Sequence, residues 1–366
     1  MSTVTVTLFF VGLLMLIGGA DVLVRGASKI AARIGISPLV IGLTVVAFGT
    51  SAPELAVSVT SVVAPSSDGA SDIALGNVIG SNLFNVLMIL GVSAIVAPLA
   101  VERQLIRLDV PVLIVASVVC YLMALDGAVG RLDGLILAAG IVTYTFVLIR
   151  LARRQEGPSV DATAGDPAAG PSSWRDGIPF QVLLILIGLV TLVVGSNWLV
   201  DGAIAFARVL GVSELIIGLT VVAAGTSLPE LATSIIAVAR GERDIAVGNA
   251  IGSSIFNVLM VLGLTASLSP HPLPVSGSTL SFDLPVMVAV AVACLPSFIT
   301  GKVVSRWEGL VFAGYYVAYT VYRVLAELKH ASLDTFSAVM IWFALPLTAV
   351  AALAALFKEF RGKRRG

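Results

Sequence analysis

Two stretches of the chain are near copies of each other, and each sets one glutamate in the middle of a long apolar run. Residues 42–58 read GLTVVAFGTSAPELAVS and residues 218–234 read GLTVVAAGTSLPELATS, identical at 14 of 17 positions. A second pair follows, DIALGNVIGSNLFNVLMILG at 72–91 and DIAVGNAIGSSIFNVLMVLG at 244–263, identical at 15 of 20. Apolar helices drift freely among Leu, Ile and Val, which lipid does not distinguish. The repeated letters here include Gly, Thr, Ser, Pro, Glu and Asn, which lipid would not select. A polar constellation repeated inside apolar segments points to a binding site built twice and facing itself.

The medium follows from composition. Of 366 residues, 58% are hydrophobic and 12% charged, with a mean hydropathy of +1.03. Soluble domains average about 45–50% apolar and about 25% charged, so the chain reads as an all-α polytopic membrane protein. Runs of about 20 apolar residues span as helices, and the alternating ten-residue segments of an outer-membrane barrel are missing. Spans are predicted near 4–24, 38–63, 73–97, 108–125, 132–152, 179–200, 213–239, 245–268, 281–300, 308–326 and 335–357. Cys120 and Cys294 lie in apolar runs and read as small buried hydrophobes. The first charge is Asp21, so the basic region that opens a cleavable signal peptide is missing, and none is expected.

Between the fifth and sixth spans lies RRQEGPSVDATAGDPAAGPSSWRD, whose Pro, Gly, Ala, Ser and Asp mark a linker. It divides the chain into a first repeat at 1–153, a linker at 154–177, a second repeat at 178–330 and an added span with a basic tail at 331–366. Gly26 and Gly202, Gly42 and Gly218, and Glu54 and Glu230 all differ by 176 residues. Each half holds five spans. An odd number sends the second half into the membrane from the opposite side, which makes this an inverted repeat. The positive charges agree. With the N-terminus outside, Arg25, Lys29, Arg33, Arg103, Arg107, Arg150, Arg153, Arg154, Arg240, Arg243, Lys302 and Arg306 fall inside. Only Arg131, Arg208, Arg323 and Lys329 fall outside, and the tail KEFRGKRRG is inside if the eleventh span exists.

The chemistry sits in GTSAPEL and GTSLPEL. Pro53 and Pro229 each remove a backbone donor and free a carbonyl one turn back, near Gly49 and Gly225. Gly, Thr and Ser tolerate the kink, and irregular backbone at membrane depth survives only where it lines a site. Thr50, Ser51, Thr226 and Ser227 add hydroxyls, and Glu54 and Glu230 add charge. Such all-oxygen sets suit hard cations; Ca²⁺ takes six to eight oxygens at about 2.3–2.6 Å. Two glutamates balance one divalent ion, which answers the cost of burying charge. Neither span's centre holds a Lys or Arg that could pair with them. His271 and His330 fall in predicted outer loops, so a soft transition-metal site is disfavoured. In GNxIGSxxFN, Ser81 and Asn85 share a helical face, as do Ser253 and Asn257. The glycines at 76, 80, 248 and 252 sit four apart and read as helix-packing positions.

These motifs resemble the paired alpha-repeats of the sodium/calcium exchanger family, within the cation/calcium antiporter superfamily. The resemblance covers both repeats and nearly the whole chain. It implies ten core helices, with two broken helices from each half around the ions, and exchange of several Na⁺ for one Ca²⁺ without a cofactor. It implies that Glu54 and Glu230 coordinate Ca²⁺ and share Na⁺, and that Thr50 and Thr226 offer backbone carbonyls. Ala47 and Ala223 would offer carbonyls to a flanking Na⁺ site with Ser51, Ser227, Ser81 and Ser253, and Asn85 and Asn257 would line the centre. Potassium-dependent relatives carry Asp at one of these last positions; Asn at both argues against a K⁺ requirement. The eleventh span departs from the ten-helix core.

The reading is a Na⁺/Ca²⁺ antiporter of a prokaryotic plasma or inner membrane. Its partners are the two ions and the bilayer, with no nucleic acid. Exchange of H⁺ for Ca²⁺ or another divalent ion is the alternative, and a cation channel ranks lower. The chain lacks HExxH, a P-loop and intramembrane His, so neither an intramembrane enzyme nor an ATP-driven pump is expected.

Overall fold

The structure, a computed structural model, describes residues 2–63, 70–155, 177–217, 220–221, 223–350 and 353. Helix α1, Thr3–Ile34, begins where the Ser2 hydroxyl accepts the Thr5 N–H, and ends at Gly35, whose φ of 74° turns its own N–H back onto Ala31. Then follow α2 (Pro38–Val63), α3 (Ala74–Val96), α4 (Leu105–Asp126), α5 (Arg131–Ala152) and α6 (Ile178–Val209). Helix α7 is described over Glu214–Ile217, Ala223–Gly225 and Leu228–Ala239. Helices α8 (Arg243–Leu268), α9 (Thr279–Ile299), α10 (Arg306–Glu327) and α11 (Leu333–Val350) complete the order. Among the described residues nine helices are long and apolar enough to cross a membrane. α7 falls outside that count because residues 218, 219 and 222 lie outside the described ones, and α10 because Arg323 and four tyrosines dilute its apolar run. Each of the eleven predicted spans thus has a helical counterpart. α1 and α6, at 32 residues each, far overrun the predicted 4–24 and 179–200. The expected linker lies almost wholly outside the described residues, as do the tail and most of the eleventh span beyond 350.

The inversion is visible in the packing of α1 on α6. A Cβ built on Gly12 would stand 2.7 Å from the Gly195 carbonyl oxygen, and one on Gly19 would stand 2.9 Å from that of Gly188. Gly26 faces Gln181 at 3.0 Å. Partner numbers fall by seven as these rise by seven, so the helices run antiparallel. Gly188 and Gly195 are the repeat equivalents of Gly12 and Gly19. The first helices of the two halves therefore cross as mirror partners, with backbone nearly on backbone.

Two short antiparallel ribbons repeat the same symmetry. β1 (Leu99–Ala100) pairs with β4 (Val303–Val304), and β2 (Ala128–Val129) pairs with β3 (Leu273–Pro274). Each joins the connection between the third and fourth helices of one half to that between the fourth and fifth of the other. They cap opposite ends of α4. Beside them sits a duplicated polar pair that the sequence reading missed. The Tyr144 hydroxyl donates to Asp109 Oδ1 at 3.0 Å, and Tyr319 donates to Asp283 Oδ1 at 2.9 Å. The signal was present in the repeated DxP at 109–111 and 283–285, obscured by a register 174 residues apart instead of 172 or 176. Both cysteines are buried and unpaired.

The centre of the fold is α8, buried at every residue from Ile245 to Phe256. Gly248 and Gly252 let α2 lie against it; their Cβ positions fall 2.7 Å from the Leu39 oxygen and 2.8 Å from Ala47 Cβ. Helix α11 lies at the other extreme, with no residue of its apolar window buried. It leans on the body where the Tyr315 hydroxyl meets the Ala344 carbonyl at 3.0 Å.

Neighbouring glycines in α1 separate packing from propensity. Gly19 is buried against Gly188, whereas a Cβ on Gly18 meets nothing within 4 Å. Gly19→Leu should therefore lose the folded monomer, because overpacking against backbone costs at least about 1–3 kcal/mol. Gly18→Leu should elute as wild type in fluorescence-detected size-exclusion chromatography. Equal behaviour of the two variants would contradict the α1–α6 seam.

Candidate functional site

Both GTSxPE segments break as their chemistry dictates. α2 is interrupted at Ser51, with ψ near 3°, before restarting at Ala52. α7 turns at Thr226 and Ser227 before restarting at Leu228. Proline cannot donate to the residue four back, so Gly49 and Gly225 keep free carbonyls. The Gly225 oxygen is taken by the Ser196 hydroxyl at 2.9 Å. In the first half the position equivalent to Ser196 is Ala20, which has no hydroxyl to offer. Each restarted helix places its glutamate in the first turn, where the helix dipole favours negative charge.

Glu54 and Glu230 are fully buried, with Thr50, Ser51, Ser227, Ser253, Asn85 and Asn257 equally shut from the exterior and Ser81 nearly so. The contacts cross between halves. The Ser227 hydroxyl lies 3.2 Å from Glu54 Oε1 and 3.1 Å from Ser81 Oγ. The Ser51 hydroxyl lies 3.5 Å from Glu230 Oε1. Thr50 Oγ1 stands 3.5 Å from Ser253 Oγ. Each carboxylate is thus met by a hydroxyl from the opposite repeat, and the two glutamates belong to one cluster.

The cluster is under-bonded. Oε2 of Glu54, Oε2 of Glu230 and both amide atoms of Asn85 and of Asn257 are buried with no hydrogen-bond partner. Unpartnered buried polar atoms are costly, so such groups are normally bonded to protein, water or ion. Asn85 and Asn257 sit at or beside the start of π-helical turns, Phe84–Ile89 and Asn257–Leu262, a local widening common at functional sites. Among the described residues no three His, Cys, Asp or Glu cluster as a metal site. The donors gathered here are two carboxylates, hydroxyls, amides and carbonyls, a set suited to hard cations.

The remaining expected residues are placed unevenly. The Ala47 carbonyl accepts the Ser51 N–H at 3.0 Å and the Thr50 hydroxyl at 3.4 Å. Ala223 lies in the helical turn Ala223–Gly225. Thr226 is half-buried, and its hydroxyl stands 3.3 Å from Asn77 Oδ1. Asn77 and Asn249, the Asn of each GNxIGS, were not singled out by the sequence reading. Asn77 Nδ2 donates to the Glu54 carbonyl at 3.2 Å and to Ser58 Oγ at 3.0 Å. Asn249 Nδ2 donates to the Glu230 carbonyl at 3.1 Å and to Ser234 Oγ at 3.0 Å, and Thr50 Oγ1 lies 3.1 Å from its Oδ1. Each amide therefore grips its own half's glutamate backbone and meets the opposite half's threonine. The repeat itself was the signal for them.

A cavity of about 290 Å³ runs between α6 and the broken segments, lined by Ser196, Asn197, Asp201, Thr226 and both motif prolines. The equivalent positions beside α1 carry ion pairs. There Asp21 pairs with Arg240 of α7 and, at 3.0 Å, with Arg25, and Ser28 donates to Glu242.

A family model described as sodium/calcium exchanger protein matches residues 4–150 and 180–325. The chain belongs to that family. It is 39% identical over 289 residues to inner membrane protein YrbG of Escherichia coli, covering 79% of this chain and 87% of that one. It is 34% identical over 351 residues to sodium/calcium exchanger MaX1 of Methanosarcina acetivorans, covering 88% and 99%. Its fold superposes on the solved sodium-calcium exchanger NCX_Mj with a TM-score of 0.72 at 30% identity, covering 88% of this chain and 99% of the other. This chain is accordingly a multi-pass membrane transporter-family protein whose two matched segments are its two inverted repeats.

Removing an Asn77 or Asn249 side chain strips two donors from buried acceptors. Asn249→Ala should lower stability by about 1–3 kcal/mol, read as a drop in the thermal midpoint of purified protein, with a smaller drop for the less buried Asn77. An unchanged midpoint in Asn249→Ala would show the amide bonds to be dispensable.

Proposed function

We propose that this exchanger-family chain is a secondary active antiporter that carries Na⁺ one way and Ca²⁺ the other. The observation that carries the reading is the under-bonded cluster, where two buried carboxylates each keep one oxygen free beside four unpartnered amide atoms. Ca²⁺ would take Glu54 and Glu230 together, with the carbonyls of Thr50 and Thr226 completing its oxygens. Na⁺ ions would share the glutamates and occupy flanking positions made by Ser51, Ser227, Ser81, Ser253 and the carbonyls of Ala47 and Ala223. Asn85 and Asn257 would line the centre without adding charge. Because both ions need the same carboxylates, they exchange instead of travelling together.

Alternating access follows from inversion. The same ligands are presented from either side, and the cavity beside α6 and the ion pair beside α1 occupy equivalent places in the two halves. The outward state opens one and closes the other; the inward state reverses them. We place the N-terminus outside, because Arg25, Arg240, Arg243, Arg103, Arg107, Lys302 and Arg306 gather at one end of the bundle. Arg243 reaches the Pro98 carbonyl and Arg306 the Val96 carbonyl at that end. Residues 1–153 and 178–330 then form the two exchanger repeats around a linker at 154–177, with 331–366 an added helix and cytoplasmic tail. No cofactor enters this scheme.

Proteoliposomes test it. With Na⁺ loaded inside and ⁴⁵Ca²⁺ outside, uptake should follow the Na⁺ gradient; uptake indifferent to Na⁺ would sink the coupling, and uptake driven equally by a pH gradient would replace Na⁺ with H⁺. Glu54→Gln and Glu230→Gln should each abolish uptake while leaving folded protein in the membrane, and wild-type rates in either would remove the site. Acid should inhibit exchange, because protons compete with cations for the two carboxylates. A rate independent of pH under a fixed Na⁺ gradient would contradict that competition.

A further inference from the structure

An inverted repeat supplies its own control, since every feature at one end of the bundle has a counterpart at the other. At the end capped by β1 and β4 lies a cavity of about 330 Å³ lined by Arg103, Ile106, Arg107, Ile299 and Lys302. The matching positions at the far end are Gly277, Leu280, Ser281, Leu125 and Gly127, the last fixed by the strand pairing and by the Val275 N–H that its carbonyl receives. The aliphatic walls are kept and all three cations are lost. The duplicated scaffold therefore needs the aliphatic residues and not the charges.

The three cations are also uncommitted. Among the described residues no carboxylate or carbonyl pairs with the side chains of Arg103, Arg107 or Lys302. Their neighbours differ in this respect: the Arg243 and Arg306 guanidinium groups are spent on the Pro98 and Val96 carbonyls. Glu102, next in sequence to Arg103, is half-buried, and burial together with the nearby Asp244 carboxylate raises its pKa above the usual range, which weakens it as a counter-ion. Lys302 adds a second, independent oddity. It holds a φ of 52° directly after Gly301 at 63°, a left-handed pair that usually calls for Gly or Asn. A lysine kept there, with its carbonyl receiving the Val101 N–H at 2.8 Å, hangs its side chain beside the two arginines.

Position names the ligand class. The cavity lies where α4 begins and α9 ends, and Trp307 stands 72% exposed on the first turn of α10 at the same end, as interfacial aromatics do. Free phosphate would gain nothing from Ile106 and Ile299, whereas a lipid uses both its charge and its chain. We propose that Arg103, Arg107 and Lys302 form a binding site for the headgroup of an anionic phospholipid in the leaflet at that end, with the upper acyl chain on Ile106 and Ile299. Basic pockets between membrane helices commonly hold such headgroups.

Native mass spectrometry of the purified full chain tests this without reference to transport. Phosphatidylglycerol and phosphatidylcholine of identical acyl chains are titrated in parallel. Wild type should retain phosphatidylglycerol preferentially. Each of Arg103→Gln, Arg107→Gln and Lys302→Gln should weaken that retention by about fivefold, and the triple variant by roughly 100-fold. Arg306→Gln, at the same end but committed elsewhere, should leave it unchanged. Equal retention of the two lipids by wild type would overturn the proposal. So would a loss in Arg306→Gln as large as in Lys302→Gln, which would mean diffuse charge. Displacement of the lipid by millimolar inorganic phosphate would reassign the site to a soluble anion. Should the triple variant fail to fold, the single variants decide.

Discussion

Two carboxylates buried among apolar helices, with no cationic side chain among the described residues to balance them, set the terms for the rest of this structure. The bilayer interior gives such groups no water. The fold answers by breaking α2 and α7 immediately before each glutamate, which frees carbonyls and sets each acid in the first turn of a restarted helix. It answers again by drawing a serine hydroxyl onto each acid from the opposite repeat. These measures are partial. One oxygen of each glutamate and the whole amide of each central asparagine stay unbonded, the observation on which the proposed cation site rests.

The demand spreads outward through packing. For the broken segments to face each other, their flanking helices must approach closely. Gly248 and Gly252 do this for α8 on α2. Gly12, Gly19, Gly188 and Gly195 do it for α1 on α6. Asn77 and Asn249 then fix the glutamate backbones, which would otherwise be held only by interrupted helices. Small residues in this chain are the means by which polar ones meet.

The centre of the site was legible because duplication converts sequence identity into chemistry. Glu54 and Glu230, the hydroxyls around them and the inversion could all be read from matching letters and an odd span count. Other features were harder to read for physical reasons. Asn77 and Asn249 stood in the quoted motif, but their role lies in crossed hydrogen bonds whose partners are 23 and 149 residues away for Asn77 alone. The Asp109–Tyr144 and Asp283–Tyr319 pairs link separate helices, so no local periodicity reveals them. The lengths of α1 and α6 were underestimated because hydropathy stops at the edge of the apolar run, whereas the helices continue through Arg25 and Lys29, and through Asp201, to a left-handed glycine or a terminal turn.

The crossed serines have a consequence for what such a chain is free to vary. Each glutamate takes a hydroxyl from the opposite half, so the arrangement has the form of an antiparallel dimer held in one chain. In a dimer of identical halves, any residue useful at one face is imposed on the other. A single chain lifts that obligation. Ser196 serves Gly225 where the repeat position is Ala20, and Arg323 pairs with Asp283 at 3.1 Å where the repeat position is Leu148. The two faces of one duplicated design are separately adjustable, while the shared core stays bound to its symmetry.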